Sequence, residues 1–174
     1  MFDNIFFVGG ITLGLIIAVI ILKICNTNKK VKTEYDERQE AIRGRSYKWA
    51  MYTAWGLMLL LMTLELSEVQ IPVERAVMYF TVMIISAVVQ ITYSIWNDSY
   101  FGTNNDFRKY VIAFIIITLI NAACAIMVTI KGRMVVNGVL SFNFVNAECA
   151  LLFIILGIQL FIKNRLDRKE SEEE

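Results

Sequence analysis

The sequence predicts an all-α integral membrane protein: a bundle of about five transmembrane helices, N-terminus outside and C-terminus inside, with one interfacial cytoplasmic helix. Three observations lead there. Hydrophobic residues make up 57% of the 174-residue chain against 19% charged, and the mean hydropathy is +0.56, an apolar excess that a soluble domain of this size does not carry. Long uncharged windows recur along the chain. Lysine and arginine gather at alternate connections between them.

The windows cover residues 5–22, 49–64, 76–97, 110–130 and 142–162, the last broken only by Glu148. About 20 residues at roughly 1.5 Å each cross a hydrocarbon core of about 30 Å. The expected spans are therefore about 5–25, 47–66, 74–97, 110–130 and 142–162, in one membrane domain over 1–174 that ends in a charged tail at 163–174. None of the windows shows the polar stripe at 3.6-residue spacing that a soluble amphipathic helix needs.

The first window reads as a retained signal anchor. Asp3 stands where a basic start is usual, the apolar run is long, and no A-x-A pattern follows. Leu22-Lys23-Ile24-Cys25 lacks the small residues of a lipoprotein site. Within this window Gly10-x-x-x-Gly14, with Gly9 beside it, permits close helix approach inside one chain or between two copies.

Orientation follows from the cations. Lys23, Lys29, Lys30, Lys32, Arg38, Arg43, Arg45 and Lys48 lie at the first connection, Arg108 and Lys109 at the third, and Lys163, Arg165, Arg168 and Lys169 after the last span. These fourteen face only Arg75, Lys131 and Arg133 on the other side. The positive-inside rule makes the first group cytoplasmic.

Residues 33–46 are rich in helix formers and predict a charged helix along the membrane surface leading into the second span. Thr33 with Asp36 resembles a capping start, and Glu34/Arg38, Gln39/Arg43 and Glu40/Arg43 stand at helical pairing distances. Asp36, Glu37, Arg38, Glu40, Arg43 and Arg45 are the candidate docking residues, the acids for a cation or a partner's basic patch and the arginines for anionic lipid headgroups. The plainer reading is a solvated helix with intrahelical pairs of about 0.3–0.5 kcal/mol each.

Tyr35-Asp36-Glu37-Arg38-Gln39, then Arg43-Gly44 and Tyr47-Lys48-Trp49-Ala50, resembles a segment of small uncharacterised multi-span membrane proteins of Gram-positive bacteria. The resemblance covers about 20 residues and implies a bacterial cytoplasmic-membrane address. Those relatives have no assigned activity, so it implies no chemistry.

A polar side chain in hydrocarbon needs a partner or a purpose. Gln90, Asn121, Glu148 and Gln159 form a candidate intramembrane polar site, with Arg75 as an ion-pair partner for Glu148 and with Gln90 and Gln159 at similar depth. Two roles fit them: helix packing, or a polar path for a small solute or ion. Glu65, Glu68 and Glu74 would make the outer surroundings of Glu148 acidic. Cys25, Cys124 and Cys149 show no metal-binding spacing. Asn137-Gly138 between valines predicts a type I′ hairpin in the last outer loop.

No histidine is present, which argues against haem, zinc-hydrolase and general-base roles; no metal or cofactor is expected, and charge segregation does not suggest a nucleic-acid partner. Three functions are open. The first is a non-enzymatic protein acting through partner or ligand binding, as an accessory, sensor or regulatory subunit, with membrane lipids and either further copies of itself or a membrane protein as partners. The second is a small oligomeric transporter or channel, and the third a lipid-acting enzyme, which lacks a recognisable catalytic constellation.

Overall fold

The computed structural model describes residues 34–102 and 107–173. The chain divides into two compact units, Met1–Glu34 and Tyr35–Glu174, and the described fold belongs almost wholly to the second. The expected span at 5–25, its glycines and Cys25 lie outside the described residues.

Four helices make up most of the fold: α1 (Glu37–Leu66), α2 (Arg75–Trp96), α3 (Phe107–Ile130) and α4 (Val145–Glu173). Three helical segments, Glu37–Leu66, Arg75–Trp96 and Phe142–Lys169, are long and apolar enough to cross a membrane, while the apolar stretch Phe114–Ile130 of α3 is shorter. Large apolar side chains cover the outside, with Trp55 60%, Leu59 58%, Leu119 64% and Ile158 54% exposed. An apolar exterior of this extent is tolerated by lipid and not by water.

α1 corrects one expectation. The charged segment and the following span are a single uninterrupted helix of 30 residues, roughly 45 Å long, not a separate surface helix. Its cap is Asp36, three residues later than Thr33. The Asp36 carboxylate accepts from the Gln39 backbone N–H at 2.6 Å, and the Gln39 side-chain carbonyl accepts from the Asp36 N–H at 3.4 Å. That reciprocal pair satisfies two of the orphan donors at the helix start.

Helix ends repeat one device. After α1, Glu68 adopts φ 56° while Val69 N–H donates to Leu64 and Glu68 N–H to Glu65. After α2, Asp98 adopts φ 56°, with Ser99 N–H on Ser94 and Asp98 N–H on Ile95. After α3, Gly132 takes φ 62°, with Arg133 N–H on Val128 and Gly132 N–H on Thr129. All three are Schellman ends, in which a left-handed residue lets two N–H groups turn back onto the last open carbonyls.

Between α3 and α4, Val135–Val136 and Val139–Leu140 pair as an antiparallel hairpin, and Asn137 (φ 52°) and Gly138 (φ 77°) form its turn. Two left-handed central residues define the type I′ geometry that Asn-Gly favours. The hairpin is tied to the α1–α2 connection: Leu140 N–H donates to Pro72 O at 2.8 Å, and Glu74 N–H donates to Leu140 O at 2.9 Å. The Glu74 carboxylate then accepts from Phe142 N–H at 2.8 Å, at the start of the 3₁₀ turn Phe142–Phe144 that leads into α4.

Helix packing follows the order α1, α2, α4, α3, so α2 and α4 form the centre. Two chain reversals separate their starts, which makes them parallel neighbours. The α4 face toward α2 carries Glu148, Leu152, Leu156 and Leu160, all buried and four residues apart, which places them along one side of a helix. Leu152, Leu156 and Leu160 pack with Ile95 into the core, flanked by Ile84, Val88, Ile91 and Phe153.

Candidate functional site

Two regions carry polar groups in defined geometry. The first is the end formed by the start of α1 and the ends of α2 and α4. Because its side-chain carbonyl is fixed by the cap, the Gln39 amide nitrogen points away from α1, donating to Asp98 O at 2.8 Å and to Phe101 O at 3.2 Å. One side chain thus starts α1 and binds it to the chain leaving α2. Beside it, Lys163 of α4 pairs with Asp98 at 3.0 Å and with Asp167, one turn on, at 2.8 Å. These groups line a cleft of about 200 Å³ that also takes in Tyr100, Phe101 and Asn164.

The six candidate docking residues divide into two sets here. Asp36 is committed to the cap. The Arg43 guanidinium lies 3.8 Å over the Tyr35 ring and donates to Tyr47 Oη at 3.2 Å, in place of the expected pairing with Glu40 or Gln39. Glu37, Arg38, Glu40 and Arg45 are exposed, and among the described residues no hydrogen bond or ion pair engages their side chains. Between the two sets, Ser46 is fully buried and donates to the Arg43 carbonyl at 2.8 Å.

The second region is the α2–α4 interface. A hydrogen bond joins Thr81 Oγ1 to Glu148 Oε1, and the Gln159 amide donates to Thr92 Oγ1 at 3.0 Å. Both rungs link residues 67 apart in sequence, the constant offset that parallel helices in register must show. About three turns, roughly 16 Å of rise, separate them. Each rung leaves one buried oxygen without a partner among the described residues, Glu148 Oε2 and Gln159 Oε1.

The remaining candidates are dispersed. Arg75 pairs with Glu65 at 3.0 Å, so the ion pair expected with Glu148 is replaced by a Glu65–Arg75 pair. Gln159 engages Thr92 instead of Gln90. Asn121 turns back on its own helix, donating to Ile117 O at 2.9 Å, and sits on α3, which packs against α4 and not chiefly against α2. Cys124 and Cys149 are free thiols, and no group of metal-ligating side chains occurs among the described residues.

Thr81, Thr92 and Asp98 are functional-looking residues that the sequence did not single out, and it marked Gln39 and Lys163 only for helix pairing and for orientation. Threonine on an apolar helix ordinarily bonds its own carbonyl four residues back, so nothing local marked Thr81 or Thr92. Asp98 and Lys163 were visible as charges at span ends, but which ends adjoin is a tertiary fact. Comparison of the chain with family models, with curated proteins and with solved structures returns no match.

Proposed function

We propose that this chain is a non-enzymatic integral membrane protein of about five spans, with its N-terminus outside and its C-terminus inside a bacterial cytoplasmic membrane, that acts by docking a partner protein on its cytoplasmic face. The carrying observation is the first third of α1. A helix of roughly 45 Å exceeds the hydrocarbon core by about 15 Å, and the excess falls on the charged N-terminal turns. Their inner side is occupied: Gln39 holds the α2 exit and Arg43 lies on Tyr35. Their outer side presents Glu37, Arg38, Glu40 and Arg45, uncommitted and of both signs. A rigid helix with unspent, mixed charge suits a partner of complementary pattern, because charge pairing across an interface sets register and choice of partner.

The test is charge reversal of Arg38 and Arg45 to Glu in the full chain, expressed in its own membrane. Expression and thermal midpoint stay at wild-type values while the partner no longer copurifies. Retention of every copurifying protein by the folded variant contradicts the reading.

A second reading, a small oligomeric transporter or channel, draws support from the buried Glu148 and the half-buried Gln159 on α4 of the central helix pair. Solute flux in proteoliposomes that is lost in Glu148→Gln separates it from the first.

A further inference from the structure

We infer that the groove between α1 and α2, at the end of the bundle away from the charged turns of α1, binds one membrane lipid whose headgroup carries both a phosphate and an ammonium. Two adjoining chambers make up the groove, of about 540 and about 510 Å³, and Leu61, Glu65 and Tyr79 line both. Each has the volume of a small-molecule site, about 300–1,000 Å³. The first chamber is apolar: Trp55, Met58, Leu59 and Met62 line it from one face of α1, and all four are exposed. From Trp55 to Glu65 the helix rises roughly 15 Å, half of a hydrocarbon core of about 30 Å. An acyl chain of one leaflet therefore fits along it. The second chamber brings Glu65, Glu68, Gln70 and Arg75 to the mouth of the groove.

Charge at that mouth selects the headgroup. Arg75 pairs with Glu65 at 3.0 Å, but the two side chains are 75% and 58% exposed, and an ion pair so exposed contributes little and exchanges partners readily. Glu68 is exposed and its side chain has no partner among the described residues. Glu74 is committed, accepting from Phe142 N–H. The mouth thus offers one guanidinium and two carboxylates. A guanidinium takes a phosphate through two parallel hydrogen bonds, which frees Glu65 to join Glu68 in taking an ammonium. A headgroup with phosphate alone would add a third negative charge around a single cation. The helix ends act in the same sense: the negative end of α1 and the positive end of α2, which starts without a side-chain cap, meet where Glu65 pairs with Arg75. The groove between α3 and α4, of about 410 Å³, provides the internal comparison. None of its lining residues is charged, so it accommodates an acyl chain without reading a headgroup.

The site stands independently of the docking face, and failure of either leaves the other intact; only its assignment to the outer leaflet rests on the orientation proposed above. The full chain is reconstituted in symmetric vesicles of equal phosphatidylethanolamine and phosphatidylglycerol, which makes the outcome independent of orientation. A trace of one lipid or the other carries a diazirine at mid-chain, and the labelled residues are mapped by mass spectrometry. The ethanolamine probe labels residues 55–65 about three- to fivefold more than the glycerol probe does, the range that an exposed ion pair supplies, while the two label the α3–α4 groove equally. Glu65→Gln combined with Arg75→Gln brings the ratio at residues 55–65 to one. Equal labelling there by both probes in wild type, a preference for the glycerol probe, or an ethanolamine preference that survives the double substitution overturns the assignment. Should the double variant fail to fold, salt decides with wild type: the ethanolamine preference falls toward one as ionic strength rises, and a preference that salt leaves unchanged overturns it.

Discussion

Replacing Gln39 by Ala removes a side chain that serves two helices at once. Its amide nitrogen makes bonds of 2.8 and 3.2 Å to the Asp98 and Phe101 carbonyls, and its carbonyl closes the cap at 3.4 Å. A net hydrogen bond stabilises by about 0.5–1.5 kcal/mol; the Asp98 contact is exposed and belongs at the lower end, while the long capping contact adds little. The expected loss is about 1–2 kcal/mol, measured as a shift in reversible unfolding in mixed micelles. Gln39→Glu sharpens the test. It keeps an acceptor for the Asp36 N–H but sets a carboxylate against two carbonyl oxygens, so it destabilises more than Ala does. If Glu is tolerated as well as Gln, the amide does not hold α1 to the α2 exit, and the rigid placement of the charged turns falls with it.

Glu68→Gly relieves a left-handed φ of 56° at a position whose side chain has no partner among the described residues, and stability rises by about 0.5–1 kcal/mol in the same unfolding assay. Lys163→Met leaves Asp98 and Asp167 without their shared cation and costs about 1 kcal/mol at low salt, less at high salt, because both carboxylates are about half exposed.

Local features were the legible ones. Asn137-Gly138 between valines specified the hairpin, since few dipeptides accept two left-handed residues in succession. The apolar windows over α1, α2 and α4 were readable because lipid demands long uncharged runs. The same demand hid the packing: Leu152 and Leu156 are buried, whereas Ile154 and Ile158 of the same helix are exposed, and a sequence apolar on all sides carries no face to distinguish them. Hence the order α1, α2, α4, α3 and the threonine rungs lay beyond reach. The helix ends divide in the same way. Gly132 announces its left-handed turn and Asp98 is a residue type that tolerates one, but Glu68 adopts it through bonds to carbonyls that no residue preference marks. The Asp36 cap is local as well: Asp36-x-x-Gln39 is itself the box pattern, three residues after the start expected from Thr33 with Asp36.

Site-specific photo-crosslinking in living cells tests the docking face most directly. A photoreactive residue at Arg38 or Arg45, on the outward side of the protruding turns, is predicted to give a discrete protein adduct that the same probe at Trp55 or Leu119, among the exposed apolar side chains, does not. Equal adduct patterns at all four positions, or adducts at Trp55 and Leu119 alone, would contradict the account.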